Sequence, residues 1–400
     1  MSVSTKEQFE KTVEEFQKSA SWRQPLAFGI CRVDRARTQL DKVLQATYGL
    51  INWNENFKSA AILLASLQAC GAKLDMSGSE LIVDVSVGFV DEALRHFSPF
   101  IDESVGDRHK NVQVLMRLAE IGKERGLEAG EYRAVFLFAD EAPQSVEAVY
   151  MKLYALSTGR APLRSLNLTG AFGILPNVAW SDNKPIDLQW LRANEIELKL
   201  RGEYPRIDFV DKFPRYLQHI IPADNVRVLE SSKVRMGAHL AAGTTIMPGA
   251  SYVNFNAGTT GPCMVEGRIS SSAVVGAGSD VGGGASILGV LSGTDGKPIT
   301  IGSNTLLGAN SVTGIPLGDG CIVDAGIAIL AGTRITITRD AAHEIARVNP
   351  GFAVTDDALQ VFKGSDLAGV HGVHFRVNSQ SGQMQAVRSQ REVKLNAELH

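Results

Sequence analysis

The chain has 400 residues, a formal net charge of −3 from 40 Lys and Arg against 43 Asp and Glu, and four cysteines. With no basic block in either half, a nucleic-acid groove has no electrostatic support. Cys31, Cys70, Cys263 and Cys321 show neither CxxC spacing nor the density of a disulfide frame or structural zinc site.

Read in order, the chain opens on a charged amphipathic stretch with no apolar h-region, and nowhere does it run through about eighteen apolar residues, so a soluble cytoplasmic protein is expected. Ser4-x-x-Glu7 has the form of a capping box, and Phe9, Val13 and Phe16 then share one helical face. Lys58–Cys70, rich in Ala and Leu and stopped by Gly71, reads as a second helix. Leu81, Val83, Val85 and Val87 alternate with Asp84 and Ser86, the period of a half-buried strand. Helical spacing returns at Val112, Leu115 and Leu118, ending near Gly126. Ala134–Phe138 is a compact strand-like run, and Ser145–Leu156 a helix with Val146, Val149 and Leu153 on one side. Residues 1–160 are therefore expected to form an α/β domain, without the glycine signatures GxGxxG or GxxxxGK[ST] of a phosphate loop.

From 161 to 225 the texture changes. Prolines at 162, 176, 185, 205, 214 and 222 argue against long helices and predict a compact linking segment.

The stretch 226–337 counts in sixes. Aliphatic residues recur at Val228, Val234, Leu240 and Ile246, then Ile269, Val275, Val281 and Ile287, then Ile301 and Leu307, then Leu317, Val323, Ile329 and Ile335. A helix repeats every three or four residues and a half-buried strand every two, so neither fits. A parallel β-helix does, with one aliphatic side chain inward per short strand, three faces per coil and roughly eighteen residues per turn. Small residues four places after the anchors, among them Ala238, Thr244, Ala273, Ser279, Ala285, Thr305 and Ser311, let the corners close. Two interruptions are expected, at Asn254–Pro262 and at Gly289–Pro298, the second with the turn signal Asp295-Gly296. Residues 338–400 then predict a small α+β extension: a helix at Arg339–Arg347, a hairpin from Val373–Asn378 through Ser381-Gly382 to Met384–Arg388, and a charged helical tail.

Chemistry concentrates in Pro262-Cys-Met-Val-Glu-Gly-Arg-Ile-Ser270. Glu266 and Arg268 lie two apart, which on an extended segment places both on one face. They read either as a surface ion pair of little worth or as a base or nucleophile beside an anion clamp. His239 alone of the eight histidines falls inside the repeat, which excludes a three-histidine metal site on the coil and suits a corner residue. The glycines around Gly283 and Gly308 suit tight corners, and they also leave room for a thin ligand along the coil. Lys363 and Arg376 follow the repeat and could meet phosphates or solvent.

From about Leu166 onward the chain resembles the tetrahydrodipicolinate N-succinyltransferase family in its longer form. The resemblance rests on Leu-Pro-Asn-Val-Ala-Trp (175–180), Asp-Lys-Phe-Pro (211–214), Val-Asn-Phe-Asn-Ala-Gly (253–258), Met-Val-Glu-Gly-Arg-Ile-Ser (264–270), Gly-Ser-Asp-Val-Gly-Gly-Gly (278–284), Leu-Leu-Gly-Ala-Asn (306–310) and Phe-Arg-Val-Asn-Ser (375–379). The first 150 or so residues match only loosely. The resemblance implies a left-handed coil, homotrimers with active sites between neighbouring subunits, and transfer of a succinyl group from succinyl-CoA to the amine of L-2-amino-6-oxoheptanedioate in lysine and diaminopimelate biosynthesis. It gives Glu266 the catalytic carboxylate position, as nucleophile or general base, and Gly289 an oxyanion-donor position through its N–H. Arg268 would hold a substrate carboxylate. Gly283, Ser286, Ala309, Asp324, Ala325 and Gly332 would line the acyl-CoA groove, with Lys363 and Arg376, Val377, Asn378 and Ser379 at the CoA end. Asp324 is shorter than the Glu the family often has. Some members hold magnesium on the trimer axis through acidic residues; here Lys233 and Ala250 stand at those positions, so no metal and no tightly bound cofactor are expected. Two alternatives stay open: another coil acyltransferase acting on a different amine or a sugar nucleotide, and a non-catalytic trimerisation scaffold.

Overall fold

The computed structural model describes residues 5–20, 22–290, 294, 296–390 and 395. The chain divides into two compact units, Met1–Ala155 with Leu166–Phe213, and Leu156–Ser165 with Pro214–His400.

In the first unit, helix α1 (Lys6–Gln17) is capped by Thr5, not Ser4, which lies outside the described residues. Thr5 Oγ1 accepts the Gln8 N–H at 3.2 Å and Gln8 Oε1 accepts the Thr5 N–H at 2.8 Å, a reciprocal box one residue later than expected. Two long strands follow, β1 (Ala27–Arg35) and β2 (Val43–Trp53), then α2 (Phe57–Ala69) and β3 (Glu80–Asp84). The expected strand through Val87 stops at Asp84: Ser86 accepts the Phe89 N–H at 3.2 Å and starts α3 (Val87–Phe97). Helix α4 (Lys110–Arg125), β4 (Tyr132–Leu137) and α5 (Val146–Ser157) come next. The strands form an antiparallel sheet in the order β2-β1-β4-β3, so this is an α+β arrangement in which no parallel crossover occurs. Phe9, Val13, Phe28, Leu64, Phe89, Leu115 and Phe136 form the core that α1 to α4 cover. Tyr48 O–H donates to the Glu147 carbonyl of α5 at 3.0 Å.

The proline-rich segment holds a long helix after all. After the short α6 (Ala171–Ile174), β5 (Val178–Ser181) and β6 (Lys184–Asp187), helix α7 runs for 14 residues, Leu188–Arg201. Its room is the proline-free interval between Pro185 and Pro205, with Asp187 accepting the Gln189 N–H at its start and Gly202 at φ 71° at its end. Strand β7 (Phe209–Asp211) completes a three-stranded sheet around the fully buried Trp180.

The second unit is built of very short strands stacked in parallel in three columns. One column holds Tyr252–Val253, Arg268–Ile269, Ser286–Ile287, Val312–Thr313 and Ala328–Ile329. The next holds Gly258–Thr259, Val274–Val275 and Thr300–Ile301, bridged to Leu317. The third holds Arg227–Val228, Thr245–Ile246, Cys263–Val265, Ser279–Val281, Leu306–Leu307 and Ile322–Val323. The chain visits the columns in rotation, advancing roughly 4.8 Å per level. From Val253 to Ile329 the last residue of each strand points inward and is at most 3 % exposed; Val228 at the open end is only half-buried.

One expected interruption is absent. Asn254–Pro262 runs as an ordinary coil, Gly258–Thr259 pairing with Val274–Val275. Its inward position is Thr259, whose hydroxyl lies 2.7 Å from that of Thr244, so a count of aliphatic residues passes over it. The beat breaks on either side of it instead, with seven residues from Ile246 to Val253 and four from Val265 to Ile269. At the second interruption the chain resumes its place in the middle column at Thr300; of its turn signal, Asp295 lies outside the described residues.

Beyond the coil, Arg334–Thr338 pairs antiparallel with Leu359–Lys363, and Thr338 caps the helix α8 (Arg339–Ala346). The hairpin Val373–Val377 and Met384–Arg388 forms as expected and extends the third column through the pairing Val323↔Phe375. The expected helical tail, residues 391–394 and 396–400, lies outside the described residues.

Candidate active site

Glu266 and Arg268 do not share one strand. Cys263–Val265 belongs to the third column and Arg268–Ile269 to the first, with Glu266 and Gly267 forming the bend between them. Gly267 is required there, since a β-carbon would stand 2.4 Å from the Ala285 carbonyl oxygen. The bend leaves Glu266 half-buried at a corner and Arg268 exposed on the adjoining face. Among the described residues neither side chain makes a hydrogen bond or ion pair, so the surface-pair reading does not hold.

Backbone hydrogen bonds place the other residues relative to this corner. Glu266 N–H donates to Val281 at 2.8 Å, Gly282 to Leu307 at 2.8 Å, Gly308 to Val323 at 2.7 Å and Asp324 to Phe375 at 3.0 Å. Glu266, Gly282, Gly308, Asp324 and Arg376 thus occupy the same corner on successive levels, about 19 Å from first to last at roughly 4.8 Å per level. Gly283, Ala309, Ala325 and Val377 follow them. A Glu266 carboxylate oxygen lies 3.5 Å from where a β-carbon of Gly283 would stand. The column is a strip of small residues interrupted by Asp324, with the unpaired Glu266 carboxylate at one end and an exposed guanidinium, Arg376, at the other.

A second group gathers elsewhere. Gly289 stacks over Ser270, its β-carbon position 3.2 Å from Ser270 Cβ, and Gly332 follows Ile329 of the same column, so both lie at the far end of the face from Glu266. Lys363 pairs with Arg334 just beyond. Arg268 and Ser286 are ladder partners on the face between the two corners. Within one chain the expected oxyanion donor and the expected catalytic carboxylate are therefore held apart. Asn378 is committed in part to its own turn, its Oδ1 accepting the Gln380 and Ser381 N–H groups at 2.9 and 3.1 Å.

Two contacts had no signal in the residue patterns, and one expected placement changes. His374 Nε2 lies 2.7 Å from Asp324 Oδ1. The guanidinium of Arg164 reaches three groups of the coil. His239, expected at a corner, lies instead on the strand face of the middle column, bridged in parallel to Gly258 and half-buried beside Gly159. No cluster of three metal-ligating side chains occurs among the described residues. At the two positions considered for a metal, Lys233 donates from its ammonium to the Gly249 carbonyl at 2.7 Å and Ala250 is exposed, a donor set that does not fit a cation.

Family models for the N-terminal and middle regions of tetrahydrodipicolinate N-succinyltransferase match residues 7–173 and 175–215, and a hexapeptide repeat of succinyl-transferase matches 298–331. A 2,3,4,5-tetrahydropyridine-2,6-dicarboxylate N-succinyltransferase of Nitratiruptor is 62% identical over the whole of both chains. The chain belongs to the tetrahydrodipicolinate N-succinyltransferase family.

Membership extends further than the motifs suggested. The match begins at residue 7, whereas the motifs carried it only from about Leu166. The Campylobacter jejuni relative of the same name is 55% identical over 100% of each chain. A crystal structure of a 2,3,4,5-tetrahydropyridine-2-carboxylate N-succinyltransferase from that organism superposes with a TM-score of 0.91, covering 98% of this chain and 100% of that one. The Vibrio cholerae relative matches at 44% over only 66% of this chain and 73% of its own. The protein is an N-succinyltransferase of this family.

Proposed function

We propose that this chain transfers the succinyl group of succinyl-CoA to the amine of tetrahydrodipicolinate in its opened form, L-2-amino-6-oxoheptanedioate, within lysine and diaminopimelate biosynthesis. Beyond family membership, the observation that carries this reading is the unpaired, half-buried carboxylate of Glu266 at one end of a strip of mostly small residues. An aliphatic ammonium must lose a proton before it can attack a thioester. In the base route Glu266 takes that proton, the amine nitrogen bonds to the thioester carbon, an oxyanion forms, and CoA departs as its thiol once reprotonated. In the covalent route the carboxylate attacks first, expelling CoA as its thiolate and forming an anhydride; the thiolate takes the ammonium proton, and the freed amine opens the anhydride and returns the carboxyl group. Arg268 would hold a carboxylate of the amine substrate by a bidentate contact. The acyl-CoA arm would run along Gly283, Ala309, Asp324 and Ala325, with Ser286 and Gly332 flanking it and its phosphates meeting Lys363 and the segment Arg376–Ser379.

The coil is best read as a left-handed parallel β-helix over 226–337, between the first domain with its linking segment, 1–160 and 161–225, and the extension 338–400. Separation of Glu266 from Gly289 supports a homotrimer in which the oxyanion donor of one subunit completes the site of its neighbour. The cytoplasm, where succinyl-CoA is made and used, is the proposed location.

Thiol release from succinyl-CoA, followed with tetrahydrodipicolinate, a panel of other amines, and acetyl-CoA in place of the donor, tests the reading. Turnover is expected with succinyl-CoA and tetrahydrodipicolinate, and Glu266→Gln should lower it at least ~10²-fold. Turnover confined to another acceptor, or an unchanged rate in Glu266→Gln, overturns it.

A further inference from the structure

Asp324 sits three levels along the corner from Glu266 and one level before Arg376. At roughly 4.8 Å per level, a carboxylate and a guanidinium there are within reach of one another. They do not pair. Asp324 Oδ1 instead lies 2.7 Å from Nε2 of His374, which the ladder pair Ile322↔His374 brings alongside. A carboxylate only accepts, so Nε2 is the donor. Oδ2 makes no hydrogen bond and the Arg376 side chain no ion pair among the described residues. The Asp324 and His374 side chains are 43% and 24% exposed, so ligand can reach the carboxylate while the imidazole stays largely behind it.

We infer that His374 is a positioning residue for acyl-CoA binding: it holds the Asp324 carboxylate away from Arg376, leaving Arg376 free for a phosphate and Asp324 Oδ2 free to accept from an amide N–H of the acyl-CoA arm. Without a donor at 374, Asp324 turns to the nearest cation, and one ion pair removes both ligand contacts. The shorter side chain makes the tether effective, since an Asp has one fewer rotatable bond than a Glu through which to escape it. This inference rests on the reading of the chain as a succinyl-CoA-dependent transferase and names the donor-binding end of that same groove.

The test is a double-mutant cycle on His374→Phe and Asp324→Ala, reading succinyl-CoA affinity by calorimetry without acceptor, and KM and kcat by thiol release. His374→Phe is expected to weaken succinyl-CoA binding and raise its KM about tenfold with kcat within about twofold, and to add nothing further in the Asp324→Ala background. His374→Gln, which keeps a donor, should recover most of the affinity. Additive losses, a loss confined to kcat, or no rescue by Gln overturns the inference while the transferase reading stands. A wild-type protein that neither binds nor turns over succinyl-CoA overturns the transferase reading, and this inference with it.

Discussion

The Arg164 guanidinium donates from Nε to the Ser272 carbonyl oxygen at 2.6 Å, and from its two terminal nitrogens to Thr300 Oγ1 at 2.8 Å and to the Ile299 carbonyl. Its own backbone N–H donates to Asn256 Oδ1 at 2.7 Å. One residue thus ties together three successive levels of the coil and grips the chain where it returns from the insertion after Gly289. Burial lowers the guanidinium pKa, and no carboxylate pairs with it among the described residues. Removing the side chain deletes three hydrogen bonds, leaving the Ile299 carbonyl with the Val274 N–H alone, so Arg164→Ala should cost about 3 kcal/mol at roughly 1 kcal/mol per bond. Arg164 also sits at φ 70°. Arg164→Gly, which removes the same bonds but relieves the backbone, should therefore be less destabilised than Arg164→Ala by ~1 kcal/mol. Denaturant unfolding of the three proteins measures both differences; equal stability of Ala and Gly variants would show that the bonds alone matter.

That clasp also shows what residue patterns could and could not carry. The hexads were legible because most inward positions are aliphatic; the count slipped where seven residues separate Ile246 from Val253 and four separate Val265 from Ile269, and where polar residues point inward, Thr259 bonded to Thr244 and Thr313 with no hydroxyl partner among the described residues. The Glu266 motif was legible, but its geometry was not: period-2 reasoning assumed one strand where Gly267 makes a bend. Strands β1 and β2 gave no alternation because both of their faces are largely covered. Arg164 meets Ser272, Ile299 and Thr300 over more than a hundred residues, and His374 meets Asp324 over fifty. Neither separation has a period, so only the folded coil brings these groups together.

Two glycines at the Glu266 corner should answer substitution in opposite ways. A β-carbon on Gly283 would meet nothing closer than the Glu266 carboxylate at 3.5 Å, an ordinary contact, so Gly283→Ala should fold with its melting temperature almost unchanged. The added methyl fills the space beside the carboxylate proposed as catalytic, and the KM for succinyl-CoA should rise about tenfold, a cost of about 1.4 kcal/mol. On Gly267 the same atom would stand 2.4 Å from one carbonyl oxygen and 2.8 Å from another, both backbone. Gly267→Ala should lose several kcal/mol of stability or fail to fold. Thermal unfolding beside steady-state kinetics separates the two; a Gly283→Ala enzyme with unaltered kinetics would remove Gly283 from the proposed acyl-CoA path.

Lys152 is 1% exposed, and its ammonium is held by Asp140 Oδ1 at 2.7 Å and the carbonyls of Asn167, at 2.8 Å, and Glu141. The residue stitches the loop after β4 to the segment that leads into α6. A neutral side chain of similar length leaves Asp140 without its cation and two carbonyls without a donor, so Lys152→Met should cost about 3 kcal/mol. Asp140→Asn in the same chain should recover part of that loss, because the uncompensated charge is then gone. Urea unfolding of the single and double variants reads the coupling; additive losses would mean that the ammonium is held by the carbonyls alone.

The four thiols divide by environment. Cys70 is exposed, whereas Cys31, Cys263 and Cys321 are buried, and burial pushes their pKa up to about 12, about 12 and about 11. Since the thiolate is the reactive form, a disulfide reagent at pH 8 should label one thiol per native chain quickly and the other three only on unfolding. The same burial sets a pH dependence. Between the ordinary thiol value near 9 and the raised values, the folded chain keeps three protons that the unfolded chain has released, so stability is complete below about pH 9 and falls as pH rises. Each buried thiol contributes a slope of roughly 1.4 kcal/mol per pH unit across its window. Cys263→Ala, which deletes one such group from inside the coil, should lower stability at pH 7 yet flatten its decline between pH 9 and 11. Equilibrium unfolding at a series of alkaline pH values measures the slope; an unchanged slope in Cys263→Ala would show that other groups govern the alkaline limit.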